Sequence, residues 1–180
     1  YDEVVDELSA IANDTIIGDG LEQGTKLGPL QNKMQYEKVK ELIESARQDG
    51  NIVAGGEVPD QSGYFIRPTI VRDVTEGSRI VDEEQFGPVL PVIRFSDESD
   101  AIARANNSDY GLGGSVWSSD LDRAYDVANQ MNTGTVWINK HAELDPGIPF
   151  GGSKQSGLGN ELGMEGLKEF TQLKMINMAR

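Results

Sequence analysis

The chain has 180 residues, no cysteine and a formal net charge of −14 at pH 7. At that length roughly 70% of the unfolded surface can be buried, so one domain with its own core needs neither disulfides nor metals. The absent cysteine excludes disulfide frameworks, thiolate metal sites and cysteine catalysis by these residues alone, and the acidic balance disfavours a nucleic-acid backbone as partner.

Cations such as Lys38, Lys40, Arg47, Arg72 and Arg104 are scattered rather than gathered into a patch, so no nucleic-acid partner is expected. No apolar run approaches the ~20 residues of a membrane helix and no signal peptide is visible; a soluble, cytoplasmic protein without membrane contact is the expectation. A start at Tyr1 without methionine, running straight into a helix, is what a piece of a longer polypeptide would show.

Tyr1, Val4, Val5, Leu8, Ile11 and Ala12 repeat at helical spacing and predict an amphipathic first helix. Gly18, Gly20, Gly24 and Gly28-Pro29 mark a long loop, after which Tyr36, Val39, Leu42, Ile43 and Ala46 predict a helix ended by Gly50. Ile52–Ala54 reads as a short buried strand, Tyr64–Val71 as extended with Pro68 marking an edge or break, and Val89–Phe95 as an apolar strand. Ser96 or Ser99 is the expected cap of a helix carrying Ala101, Ile102 and Ala105. A strand at Gly113–Trp117, a helix over Leu121 to Met131 and a strand at Thr135–Ile138 follow. A glycine-rich loop over 147–163, a short helix over Glu165–Phe170 and a final strand over Leu173–Met178 complete the chain. The alternation of strands and helices predicts an α/β fold with a mostly parallel sheet.

Four stretches could carry chemistry. His141-Ala142-Glu143 has the form of a metal motif, but its histidine is the only one and the cysteine pair that zinc deaminases require is absent, so no metal site is expected. Gly151-Gly152-Ser153-Lys154-Gln155-Ser156-Gly157-Leu158-Gly159 resembles a phosphate cradle, yet its spacing fits neither the Walker nor the dinucleotide pattern, and a tight packed connection is the better reading. Glu83-Glu84-Gln85-Phe86-Gly87-Pro88 places carboxylates beside an aromatic ring at a loop–strand junction, where they could receive a sugar and a flat base; a solvated acidic face is the plainer alternative. Glu161 precedes a helix and could be either a first-turn acid favoured by the helix dipole or a site acid.

Taken together and in order, these motifs resemble the aldehyde dehydrogenase superfamily. Pro149-Phe150-Gly151-Gly152-Ser153-Lys154-Gln155-Ser156-Gly157-Leu158-Gly159-Asn160-Glu161 is similar to its Pro-Phe-Gly-Gly-x-Lys-x-Ser-Gly-x-Gly-x-Glu segment, ten residues beyond a Gly-x-Val-x-Ile-Asn strand end at Asn139. Glu83 to Val89 looks like its Glu-Glu-x-Phe-Gly-Pro-Val segment, and Gly28-Pro29-Leu30, Gly63-Tyr64-Phe65 with Pro68-Thr69, Ala105-Asn106 with Tyr110-Gly111-Leu112, and Phe170-Thr171 with Lys174 support the match.

The resemblance implies a three-layer α/β catalytic-domain portion over residues 1–172 and the start of an oligomerisation strand over 173–180. It implies Glu84 as the glutamate that hydrogen-bonds the nicotinamide ribose, Phe86 as the ring beside the nicotinamide, and Glu161 as a proton-relay acid. Leu144, Ile148 and Phe150 would line the aldehyde pocket, with His141 at the near end of their loop. NAD or NADP would be the cofactor, its pyrophosphate held outside this chain. The implied partners are a small-molecule aldehyde, the upstream cofactor-binding half of the same protein, and further copies in a homo-oligomer. The nucleophilic cysteine and general-base glutamate lie upstream in the family, so the chain alone would be inactive; a non-catalytic interaction or regulatory module of the same fold is the alternative. Asn160 stands where the family often has arginine.

Overall fold

The computed structural model describes residues 1–179 and divides them by contacts into two units, Tyr1–Arg94 and the residues from Phe95 onward. In the first unit, α1 (Asp2–Asp14) buries Val5 and Ala12 and leaves Val4 and Ile11 exposed. Its start is tied down by Tyr1, whose hydroxyl accepts a hydrogen bond from the Asp73 N–H (2.9 Å) and donates to the Val92 carbonyl (3.2 Å). Helix α2 (Lys33–Asp49) is capped by the Asn32 side chain, which accepts from the Gln35 N–H, and buries Val39, Leu42, Ile43 and Ala46. Gly50 ends α2, as the sequence predicts; a side chain there would strike the Arg72 carbonyl.

Strands β1 (Asn51–Ala54), β2 (Thr69–Arg72) and β3 (Val89–Pro91) form one sheet, antiparallel between β1 and β2 and parallel between β2 and β3. Successive residues of β2 face opposite sides. Val71 packs with the α2 residues Val39, Leu42, Ile43 and Ala46, whereas Ile70 packs with Ala12 of α1 and Ala54. Helix–sheet–helix layering follows from this run of three buried residues, each apolar side chain contributing about 1.5–3 kcal/mol on burial.

The predicted extended stretch Tyr64–Val71 pairs only from Thr69, because Pro68 has no N–H to give to a ladder. Likewise the strand expected over Val89–Phe95 is a ladder only to Pro91, after which Val92 N–H still donates to the Val71 carbonyl. A single helical turn, α3 (Arg79–Asp82), precedes β3 and was not expected.

In the second unit, α4 (Glu98–Asn106) is capped by Asp97, whose side chain accepts from the Asp100 N–H at 2.8 Å, and not by Ser96 or Ser99. Strand β5 (Gly113–Val116) runs parallel to β6 (Thr135–Ile138), and α5 (Leu121–Ala128), capped by Asp120, connects them with Ala124 fully buried. Two short strands, β4 (Tyr110–Gly111) and β7 (Ser153–Lys154), pair antiparallel; both lie where the sequence suggests only loop. Helix α6 (Gly163–Glu169) begins two residues earlier than expected. The strand expected over Leu173–Met178 does not form among the described residues, which are exposed and make no ladder within the chain. The fold is α/β, with parallel pairs β2–β3 and β5–β6, two antiparallel pairs and flanking helices.

Candidate active site

The Glu83–Pro88 turn of the first unit is held from α2 by its main chain. Lys38 Nζ donates to the Glu84 carbonyl at 2.7 Å, and the Gln35 amide donates to the Gln85 carbonyl. Gly87 lies so close to α2 that a Cβ there would stand 2.5 Å from a Val39 methyl. On the strand side, Gln85 Nε2 donates to the Val89 carbonyl (2.6 Å) and Thr69 N–H to the Pro88 carbonyl (2.8 Å).

Two acids in this turn have different fates. Glu83 receives two hydrogen bonds from the Arg79 guanidinium (2.6 and 3.2 Å), which hold its carboxyl below the usual carboxylate range. The Glu84 carboxylate takes no side-chain partner among the described residues. Phe86, 67% exposed, is held at φ 44°, a left-handed conformation that costs a non-glycine residue about 1–2 kcal/mol. An anchored backbone thus carries one half-buried carboxylate, without a side-chain partner among the described residues, and one exposed aromatic ring. A carboxylate can accept from the vicinal hydroxyls of a sugar and a ring can flank a flat heterocycle, so these two groups suit the ribose and base of a nucleoside.

The other nominated residues sit in the second unit, at the C-terminal end of β6. Asn139, at φ 54°, closes the strand by accepting from the Ser118 N–H (2.9 Å) and donating to the Ser118 carbonyl (2.8 Å). Beyond it, His141 meets the Trp137 ring edge-on with centroids 5.6 Å apart, and its Nδ1 lies 3.2 Å from Ser115 Oγ. Trp137 also faces the Phe150 ring at 6.3 Å, and its indole N–H donates to the Glu143 carbonyl at 2.9 Å. Trp137 therefore links His141, the 142–149 loop and Phe150, a role that its place in an apolar strand does not signal. Leu144 and Ile148 are exposed on that loop, whose bend is fixed by Asp145 accepting from the Gly147 and Ile148 N–H groups.

Phe150 and Glu161 are joined by a pair of backbone hydrogen bonds, 2.8 and 2.7 Å, that closes the glycine-rich segment into a ring. Glu161 is thus a bridge residue, exposed and lying before the first turn of α6, so the helix-dipole reading does not apply to it. A cleft of about 310 Å3 is lined by Phe150, Glu161, Leu112, Asn160, Glu169 and the loop glycines. Close packing explains two of those glycines, since a Cβ on Gly151 would lie 2.6 Å from the Gly159 carbonyl and one on Gly152 would lie 2.9 Å from Ser156 Cβ, whereas Gly157 and Gly159 stand at positive φ, 149° and 82°. Within the segment, the Phe150, Gln155, Ser156 and Glu161 N–H groups donate to backbone carbonyls of the second unit. A larger hollow of about 400 Å3 between α4, α5 and β5 contains none of the nominated residues.

The structure brings Phe150 to Glu161, and His141 to Phe150 through Trp137; Glu84 and Phe86 share one turn of the other unit. Six non-glycine residues among those described have positive φ, and five of them (Phe86, Asn139, Ala142, Lys154 and Leu162) fall in these segments. Such strain persists where surrounding structure over-determines it, commonly at sites of function.

The sequence profile described as the aldehyde dehydrogenase family matches residues 1–176, and the chain belongs to that family. A succinate-semialdehyde dehydrogenase [NADP(+)] of Deinococcus radiodurans is 44% identical over 177 residues, covering 98% of this chain and 37% of that protein. A betaine aldehyde dehydrogenase of Rhizobium leguminosarum is 43% identical, covering 97% of this chain and again 37% of the relative. Among solved structures, an NAD+ complex of the aldehyde dehydrogenase from Bacillus cereus superimposes with a TM-score of 0.92 at 44% identity, covering 97% of this chain and 36% of that one. The chain spans little more than a third of the length of these relatives.

Proposed function

We propose that this chain is the part of an NAD(P)-dependent aldehyde dehydrogenase that supplies the nicotinamide-ribose clamp and one wall of the aldehyde pocket. The observation that carries the reading is the Glu83–Pro88 turn: its backbone is fixed by Lys38, Gln35 and Val39, while the Glu84 carboxylate and the Phe86 ring remain free for a ligand. Glu84 accepts hydrogen bonds from the ribose hydroxyls, and Phe86 flanks the nicotinamide and keeps water from it. When bound, the nicotinamide supplies the hydride acceptor. Leu144, Ile148, Phe150 and His141 line the substrate side, and Glu161 passes protons at the rim of its cleft. The thiohemiacetal and thioester form on a cysteine sulfur outside this chain, which has no cysteine of its own. The Leu173–Met178 stretch, apolar and exposed, contributes to subunit association in the whole enzyme.

The purified chain is expected not to reduce NAD+ or NADP+ with aliphatic, aromatic or cationic aldehydes, since covalent catalysis without its nucleophile loses most of the rate enhancement. Sustained, aldehyde-dependent growth of reduced-nicotinamide absorbance would overturn this division of labour. The second reading, an interaction module without chemistry, draws on the same missing cysteine and on the exposed apolar side chains of Phe170, Leu173, Met175 and Ile176. Under that reading, substitutions at Glu84 in the longer protein leave nucleotide binding unchanged.

A further inference from the structure

Lys154 has the place of a phosphate-binding lysine in a glycine-rich loop, but its ammonium is committed elsewhere. Nζ donates to the carbonyls of Asn106 (2.8 Å) and Ser108 (2.9 Å). Asn106 is the last residue of α4, where carbonyls lack helical partners and the helix dipole is negative, so a cation is favoured there. Lys154 itself is at φ 55°, a conformation that a side chain other than glycine's does not adopt without compensation. Around it, Gln155 N–H donates to the Asp109 carbonyl (2.9 Å) and Gly111 N–H to Ser156 Oγ (2.9 Å), registering β7 against β4.

The segment 150–161 is therefore held at both ends. One end is the Phe150–Glu161 bridge; the other is the β4–β7 pair, fastened to the end of α4 by one ammonium. We infer that Lys154 is a positioning residue: through the Asn106 carbonyl at the end of α4 and the Ser108 carbonyl just beyond it, Lys154 fixes the ring on which Phe150 and Glu161 are carried, and it binds no anion. Its relevance to catalysis rests on the assignment of Phe150 and Glu161 to the active site; its mechanical role does not.

Two measurements separate these. In the chain itself, Lys154→Met should speed hydrogen exchange at the Phe150 and Glu161 amides by about tenfold or more, because the charge-assisted bonds that hold the far end of the ring are lost. Lys154→Arg, which keeps donors and charge, should restore exchange to within about threefold of the parent. Amides of α5 should stay protected in both variants, which reports that the unit still folds. Unchanged exchange at Phe150 and Glu161 in Lys154→Met, or equal loosening in Lys154→Arg, would overturn the inference. So would protection of the loop amides by inorganic phosphate in the parent chain that Lys154→Met abolishes. In the full-length enzyme carrying this segment, Lys154→Met should raise the aldehyde KM with the nucleotide KM unchanged. Loosened amides with unaltered kinetics would uphold the positioning role and refute the placement of Phe150 and Glu161 in the site.

Discussion

Gly87 offers a direct test of how the Glu84–Phe86 turn is held. A Cβ at this position would stand 2.5 and 3.1 Å from the two methyls of Val39 and 3.4 Å from its Cβ, where carbon atoms normally approach to about 3.5–4.0 Å. Val39 is fully buried in the middle of α2 among Leu42, Ile43 and Ala46, so it cannot swing away. Gly87→Ala should therefore behave as an overpacked core substitution and cost about 1–3 kcal/mol. Val39→Ala alone should cost about 2 kcal/mol through the cavity it leaves. In the double variant the new methyl occupies part of that cavity, so the second substitution should cost little, and the coupling should favour the pair by at least about 1 kcal/mol. Urea unfolding followed by far-UV circular dichroism measures each corner of the cycle. Additive effects, or a Gly87→Ala chain as stable as the parent, would refute the claim that the turn lies hard against α2.

The remaining predictions concern binding and pH. In the full-length enzyme, Glu84→Gln should weaken nicotinamide-nucleotide binding or raise its KM by about 10–100-fold, the worth of a charge-assisted hydrogen bond, while leaving the unfolding midpoint unchanged because the carboxylate has no side-chain partner among the described residues; unaltered nucleotide titrations would remove Glu84 from the clamp. The carboxyls of Asp2, Asp73 and Glu83 are lowered in the folded chain, Asp2 by its hydrogen bond from Arg72, Asp73 by one from Asn51, and Glu83 by those from Arg79. A depressed folded value means their stabilisation is present above the unfolded pKa, about 4, and is lost as pH falls through the lower folded value. Thermal midpoints should therefore fall as pH drops below about 4, less so at high salt because the groups are exposed, and Asp2→Asn should flatten that dependence; an unchanged slope in Asp2→Asn would refute its share.

Much of the fold is written in local periodicity. The α2 residues Val39, Leu42, Ile43 and Ala46 are one helical face, and that face is the core. The parallel β5–α5–β6 unit also follows from alternating short apolar runs and a helical pattern. Elements created by distant partners leave no such trace. Strands β4 and β7 are two residues each and exist because Lys154, Ser153 and Ser156 reach the Asn106–Gly111 segment. In the same way the Ser96-Asp97-Glu98-Ser99 run contains several good caps, and residue type alone does not single out Asp97, whose side chain accepts from the Asp100 N–H. The candidate site divides similarly. Its outward residues, Glu84, Phe86 and Phe150, are visible as motif positions; the groups that hold them, Gln35 and Lys38 acting across 50 and 46 residues and Trp137 acting through its ring, are not.

Both site segments meet one physical requirement by the same means. A side chain that must act on a ligand has to be exposed yet fixed, and exposure removes the packing that usually fixes it. Here the main chain is fixed instead. In the Glu83–Pro88 turn two α2 side chains bind successive carbonyls, and in the 150–161 ring an ammonium binds one carbonyl at the end of α4 and one just beyond it while paired amides close the other end. The left-handed residues Phe86 and Lys154 mark where those anchors outweigh local preference. It follows that substitutions at the anchors should act through geometry, and those at Glu84, Phe86, Phe150 and Glu161 through chemistry. Loosening an anchor should therefore impair every ligand that its segment touches, whereas Glu84→Gln should impair the nucleotide alone.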